Sequence, residues 1–137
     1  MLITLSQKAH FNALYTTHNP HWSAEQNEAA FGKNHQENPR FHGHNYNIQV
    51  TLQGQPEDLQ TGMLYPLPDL KKLIKNEVEE RFDHKNLYLD LDDFKDTIPT
   101  VEAMAVRIWH ILRPHLPQHL HLHVQVAATD EQMATYG

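Results

Sequence analysis

Cysteine is absent from this chain, which rules out disulfides and leaves no thiolate to serve as nucleophile or metal ligand. No apolar run approaches the roughly 20 residues of a membrane helix. The opening residues, Met1-Leu2-Ile3-Thr4, lack the basic-then-apolar order of a signal peptide, so cytoplasmic residence is expected. Basic residues are scarce. Eleven Lys and Arg stand against 17 Asp and Glu, a net charge of -6, and they do not cluster into a nucleic-acid footprint. Internal repeats and low-complexity segments are missing as well. The 137 residues fit one domain, 1–137, and their 39% hydrophobic content suffices for a modest core.

What the chain has in excess is histidine. Twelve are spread along its length, and two of them form His42-Gly43-His44. Directly after, Tyr46, Ile48, Val50 and Leu52 alternate with Asn45, Asn47, Gln49 and Thr51. That is the period-two pattern of a half-buried strand. Residues i and i+2 of a strand share a face, so both imidazoles can aim at one point. Two neutral imidazoles make half of a zinc site, and a third ligand would leave a position open for water or substrate. Gly43 lets another backbone or a ligand come close.

Around this stretch the chain reads as an α+β layer fold. Leu2 to Ala13 is an expected strand, with Ile3 and Leu5 on one face, broken by Asn19-Pro20. Ser23-Ala24-Glu25-Gln26 is a capping box opening a short helix to about Phe31, closed by Gly32. Asn34 to Arg40 is polar and reads as a loop. Met63-Leu64-Tyr65 is an expected short strand. Pro68 suits a first helical turn, and Leu70, Leu73, Ile74, Val78 and Phe82 follow at helical spacing. Asp83 to Pro99 reads as a loop. Thr100 is an expected N-cap for a second long helix with Val101, Met104, Ala105, Ile108, Trp109 and Leu112 on its apolar face, stopped at Pro114. Leu120, Leu122, Val124 and Val126 mark the last strand. The expected architecture is an antiparallel sheet with two helices on one face.

Six segments occur in order and at nearly regular family spacing. They are Phe31-Gly32-Lys33, His42-Gly43-His44-Asn45-Tyr46, Thr61-Gly62-Met63, Asp69-Leu70-Lys71, Asp83-His84-Lys85-Asn86-Leu87 and Pro99-Thr100 with Glu102. Together they resemble the 6-pyruvoyl-tetrahydropterin synthase family, which includes 6-carboxytetrahydropterin synthases. The resemblance implies the tunnelling fold: a four-stranded antiparallel sheet with two helices packed on one face. It also implies protomers joined into barrels, usually a homohexamer, with active sites between subunits. The implied substrate is a dihydropterin triphosphate or a related pterin or purine-like molecule. Zinc held by three His would polarise its side-chain oxygens, a Cys would abstract a proton, an Asp-His pair would move the others, and a Glu on the last strand would grip the ring. Carried over residue by residue, His42 and His44 become metal ligands, Asp83 and His84 catalytic residues, and Thr100 and Glu102 substrate contacts.

The chain also departs from the family at named positions. Tyr15 stands where the first zinc His is expected, Asn34 where the Cys is expected, Ala128 where the gripping Glu is expected, and Ala103 where an Asn usually follows. Substitutes within the chain are His18, His10 or His35 as third ligand, a Tyr15 phenolate, and Glu37 as base. Glu131 is a candidate for a displaced anchor, although an odd shift along a strand points to the other face. The expected function is therefore a divergent, metal-dependent lyase of pterin metabolism, serving biopterin, folate or a queuosine-type modified nucleoside. The alternative is a catalytically inactive relative that binds a pterin, a purine-like ligand or metal without turnover. His119, His121 and His123 are expected on the polar face of the sheet, and Asp90, Asp92, Asp93 and Asp96 in a solvated loop.

Overall fold

The computed structural model describes residues 1–33 and 41–137, and of Phe41 and His42 the backbone alone. Strand β1 (Ile3–Thr16) pairs antiparallel with β2 (Phe41–Gly54) along its full length, from Ile3 opposite Gly54 to Thr16 opposite Phe41. Strand β4 (His121–Ala127) continues the sheet on the other side of β2, and β5 (Met133–Tyr136) turns back onto β4. The two-residue β3 (Lys85–Asn86) lies parallel to β1 at Ala13 and Leu14. The order is β3-β1-β2-β4-β5.

This corrects the four-stranded expectation in two ways. Among the described residues the sheet has five strands, and β3 pairs in parallel. Met63-Leu64-Tyr65 forms no strand; Leu64 and Tyr65 pack against the core from an irregular connection. The strands absent from the expectation are β3, which falls in the stretch Asp83 to Pro99 read as a loop and is ordered by β1, and β5, whose Met-Ala-Thr-Tyr sequence carries no period-two signal and is ordered by pairing with β4.

Alternation settles which face is buried. Phe11 and Ala13 on β1, Tyr46, Ile48, Val50 and Leu52 on β2, and Leu122, Val124 and Val126 on β4 all point to the helices. The opposite face carries Asn45, Asn47, Gln49, Thr51, His121 and His123. His119 precedes β4 and sits 3.5 Å from Glu57 instead.

Helix α1 (Ala24–Phe31) begins at the expected capping box: the Ser23 hydroxyl accepts from Gln26 N–H, and the Gln26 side chain accepts from Ser23 N–H. Its C-cap Gly32 has φ +93°. A long helical rod follows: α2 (Leu67–Ile74), a π-helical turn (Lys75–Glu79) and α3 (Glu80–Phe82). The sequence explains the turn. Leu70, Ile74, Val78 and Phe82 are each four apart, so at ~3.6 residues per turn their stripe would drift round the helix. The wider π turn returns Val78 and Phe82 to the sheet, and all four are buried. Helix α4 (Val101–Leu112) starts at Thr100, whose hydroxyl accepts from Ala103 N–H, and closes in a 3-10 turn at Arg113–His115. Among the described residues no helix is long and apolar enough to cross a membrane.

The acidic loop is less solvated than its composition suggests. The Asp93 carboxylate is 2% exposed and clamped by Arg81 at 3.0 Å and Arg107 at 2.7 Å. Asp90 accepts from the Asn86 N–H at 2.7 Å.

Candidate functional site

Register brings Tyr15 into the candidate metal position. Tyr15 lies directly opposite His42, and Ala13 opposite His44, on the helix-facing side of the sheet. Directly opposed residues have Cβ atoms about 5 Å apart. The Tyr15 ring stacks over His44 at 6.4 Å and meets Tyr88 edge-on at 6.2 Å. His44 in turn packs against Tyr46 at 5.5 Å. Burial pushes the Tyr46 and Tyr88 phenols well above the ordinary tyrosine range, with Tyr15 alongside adding to both shifts. Both stay neutral.

The Tyr15, His44 and Tyr46 rings form one wall of a cavity of about 560 Å³. Its other walls are Thr100, Val101 and Glu102 from the start of α4, and Ala128, Thr129, Glu131, Gln132 and Met133 from the β4–β5 turn. The cavity thus gathers His44, Thr100 and Glu102, all expected site residues. It also gathers Tyr15 and Ala128, the positions where family donors are replaced. The Thr100 hydroxyl oxygen is used as the helix cap, which leaves its proton to donate to a ligand. Glu102 sits where the helix N-terminus favours a carboxylate.

Strand parity fails for Glu131. Strand β4 ends at Ala127, so Glu131 lies in the turn and lines the cavity. Here the expectation that it points to the other face is corrected: the alternation rule holds only inside a strand.

Asp83 and His84 sit elsewhere. A second cavity, of about 410 Å³, is lined by Asn12, Ala13, Leu14, Gly43, His44, Asn45, His84 and Lys85. Asn12, Leu14, Gly43 and Asn45 belong to the outward face of the sheet, so this cavity opens on the side away from the helices. The Asp83 carboxylate accepts from the Asn12 N–H at 2.9 Å and lies 3.8 Å from the His84 ring, outside hydrogen-bond range. His84 N–H donates to the Asn12 carbonyl at 2.6 Å, and its φ is +59°, the left-handed region. Its imidazole is 79% exposed. Within one chain, then, the structure does not bring the Asp-His pair into the first cavity.

Among the described residues no three His, Cys, Asp or Glu side chains come together as metal ligands. The ring stacked over His44 is a phenol, and a zinc ion takes a phenol only after it loses its proton. His10 is exposed on β1, and the expectations for His35, Glu37, Asn34 and the His42 side chain lie outside the described residues.

The model of the family described as 6-pyruvoyl tetrahydropterin synthase matches residues 4–137. The chain belongs to that family. It is 38% identical over 132 residues to the human 6-pyruvoyl tetrahydrobiopterin synthase, covering 96% of this chain and 89% of the relative. The solved Caenorhabditis elegans 6-pyruvoyl tetrahydropterin synthase superposes with a TM-score of 0.80 at 32% identity, over 99% of this chain and 95% of that one. A Plasmodium vivax 6-pyruvoyltetrahydropterin synthase in which a catalytic glutamate is exchanged for cysteine superposes at 0.66. With 16% identity over 99% of this chain and 97% of that one, it shows the shared fold alone. The tunnelling fold expected from the sequence motifs is therefore the fold observed.

Proposed function

We propose that this protein is a divergent pterin-processing lyase, acting on dihydroneopterin triphosphate or a related pterin. The observation that carries this reading is the single cavity in which His44, Thr100 and Glu102 meet under an aromatic wall. A flat heteroaromatic ring fits such a wall, with Thr100 and Glu102 supplying polar contacts at its edge. Asp83 and His84 would handle proton transfers, and Glu37 would serve as base in place of the absent thiol. A glutamate is also the catalytic residue exchanged in the Plasmodium vivax neighbour.

His84 opens on the opposite sheet face from Tyr15 and Glu102, so the reading includes a homo-oligomer. In it, the His84 of one copy would meet the cavity of another, consistent with the hexamer that the family resemblance implies. His42 and His44 would hold zinc, which supplies electrophilic polarisation when bound. His44 stacked on the Tyr15 phenol does not by itself close such a site.

Incubation of the purified protein with dihydroneopterin triphosphate, followed by mass spectrometry, tests the reading. Triphosphate release with a pyruvoyl or carboxy pterin is expected. The substitutions at Tyr15 and Ala128 favour a second reading, a binding protein without turnover. Calorimetric binding of the pterin with no product would replace the first reading by the second.

A further inference from the structure

The outward face of the sheet carries a second His-x-His, remote from the cavities already described. His121 and His123 stand two residues apart at the start of β4, on the side away from the helices. Their ring centres are 4.5 Å apart, with the rings inclined at 50°. Two imidazole nitrogens bound side by side on one ion at ~2.0–2.1 Å hold their ring centres roughly 4.5–5 Å apart. The pair has the spacing of a chelate. A hydrogen bond also sets which nitrogen is free. His123 Nδ1 lies 2.8 Å from the Gly137 carbonyl oxygen, which can only accept, so Nδ1 carries the proton. In the neutral ring Nε2 then keeps its lone pair. Metal-bound histidines characteristically donate their other ring N–H to a carbonyl or carboxylate in this way. His119 is not part of the pair, because its ring sits 3.5 Å from Glu57. Across the ladder stand two uncharged residues, Gln53 opposite His121 and Thr51 opposite His123. Among the described residues, the outward positions of β1, β2 and β4 carry no Asp or Glu to pair with the two rings instead.

We infer that His121 and His123 form a two-imidazole site for a divalent late transition metal, copper(II) ahead of nickel(II) or zinc(II), on the outward face of the sheet. Imidazole suits these ions, and across them the affinity of a given nitrogen site peaks at copper. Two adjacent nitrogens, with water in the remaining positions, suit the tetragonal geometry of copper(II). The site is separate from the candidate metal position at His42 and His44. His44 lies nine residues along β2 from Gln53, the residue opposite His121, which is about 30 Å of strand. The two positions also lie on opposite faces of the sheet. The β4 site stands whether or not the first cavity takes a pterin.

The test titrates copper(II) chloride into the full-length protein, with calorimetry for affinity and electron paramagnetic resonance for the bound nitrogens. Wild type, His119→Ala, His121→Ala, His123→Ala and His42→Ala/His44→Ala are compared, with circular dichroism melts to show that each folds. The His42→Ala/His44→Ala protein should keep a copper site whose spectrum carries two imidazole nitrogens. His121→Ala and His123→Ala should each weaken that site about tenfold or more, the loss of one imidazole ligand, whereas His119→Ala should leave it unchanged. Nickel(II) and zinc(II) should bind the same site more weakly than copper(II). Unchanged copper affinity in either β4 variant overturns the chelate. So does a spectrum with fewer than two imidazole nitrogens in the His42→Ala/His44→Ala protein. If one set of variants melts early, the other decides the outcome alone.

Discussion

His84 concentrates several observations in one residue. It is not glycine, yet its backbone is left-handed, and its ring is presented to solvent beside the outward cavity. A non-glycine residue held there costs about 1 kcal/mol. His84→Gly should therefore hold or slightly raise the melting temperature, since relief of strain is offset in part by the greater chain entropy of glycine. The same variant should lose turnover. Thermal melts beside a rate assay check both halves; a large drop in stability would show that the imidazole itself supports the fold. Tyr88 offers a contrasting case: its hydroxyl is buried without a hydrogen-bond partner among the described residues, and its ring stands edge-on to Tyr15. Tyr88→Phe should be stabilising by about 1 kcal/mol in chemical denaturation, because an unsatisfied buried hydroxyl is removed at constant shape.

At the scale of elements, the pairing of β1 with β2 sets which residue stands beside the proposed metal position. Tyr15 faces His42 across the ladder and stacks on His44, so Tyr15→His would place a third imidazole beside the pair. Equilibrium dialysis should then show tighter zinc binding than in wild type, by tenfold or more for an added imidazole ligand. Equal affinity in the two proteins would place the metal elsewhere. The link between the rods is equally specific. Asp93 ties Arg81 at the end of α3 to Arg107 in the middle of α4. Asp93→Ala leaves both guanidiniums without that partner. Because they are partly exposed and can rehydrate, the expected loss is about 1–3 kcal/mol in denaturant unfolding, less than for a fully buried pair.

For the whole molecule, the buried phenols set an alkaline limit. Tyr46 and Tyr88 are kept neutral in the fold by burial, whereas in the unfolded chain they titrate near pH 10. Their contribution is intact below that pH and is lost as pH rises toward their folded values, at about 1.4 kcal/mol per pH unit for each phenol. Melting temperature should fall from about pH 10 upward, and Tyr46→Phe should flatten that fall. Much of the molecule was legible in sequence because local chemistry agreed with the tertiary outcome. The capping box at Ser23, the cap at Thr100 and the alternation from Tyr46 to Leu52 all reappear in place. What the sequence hid depends on distant partners. Strand β5 is ordered by β4, Asp93 by two arginines from other elements, and Glu131 enters the cavity because β4 stops at Ala127.

The proposed sharing of a site between copies, His84 from one and the Glu102 cavity from another, can be tested by complementation. Mixed oligomers should be assembled from a Glu102→Ala protein and a His84→Ala protein, each inactive alone, and assayed for product from dihydroneopterin triphosphate. The mixture should regain activity, because some sites receive an intact cavity from one copy and an intact His84 from another. A mixture as inactive as its parts, with mixed oligomers shown to form, would contradict it, as would wild-type turnover by either variant alone.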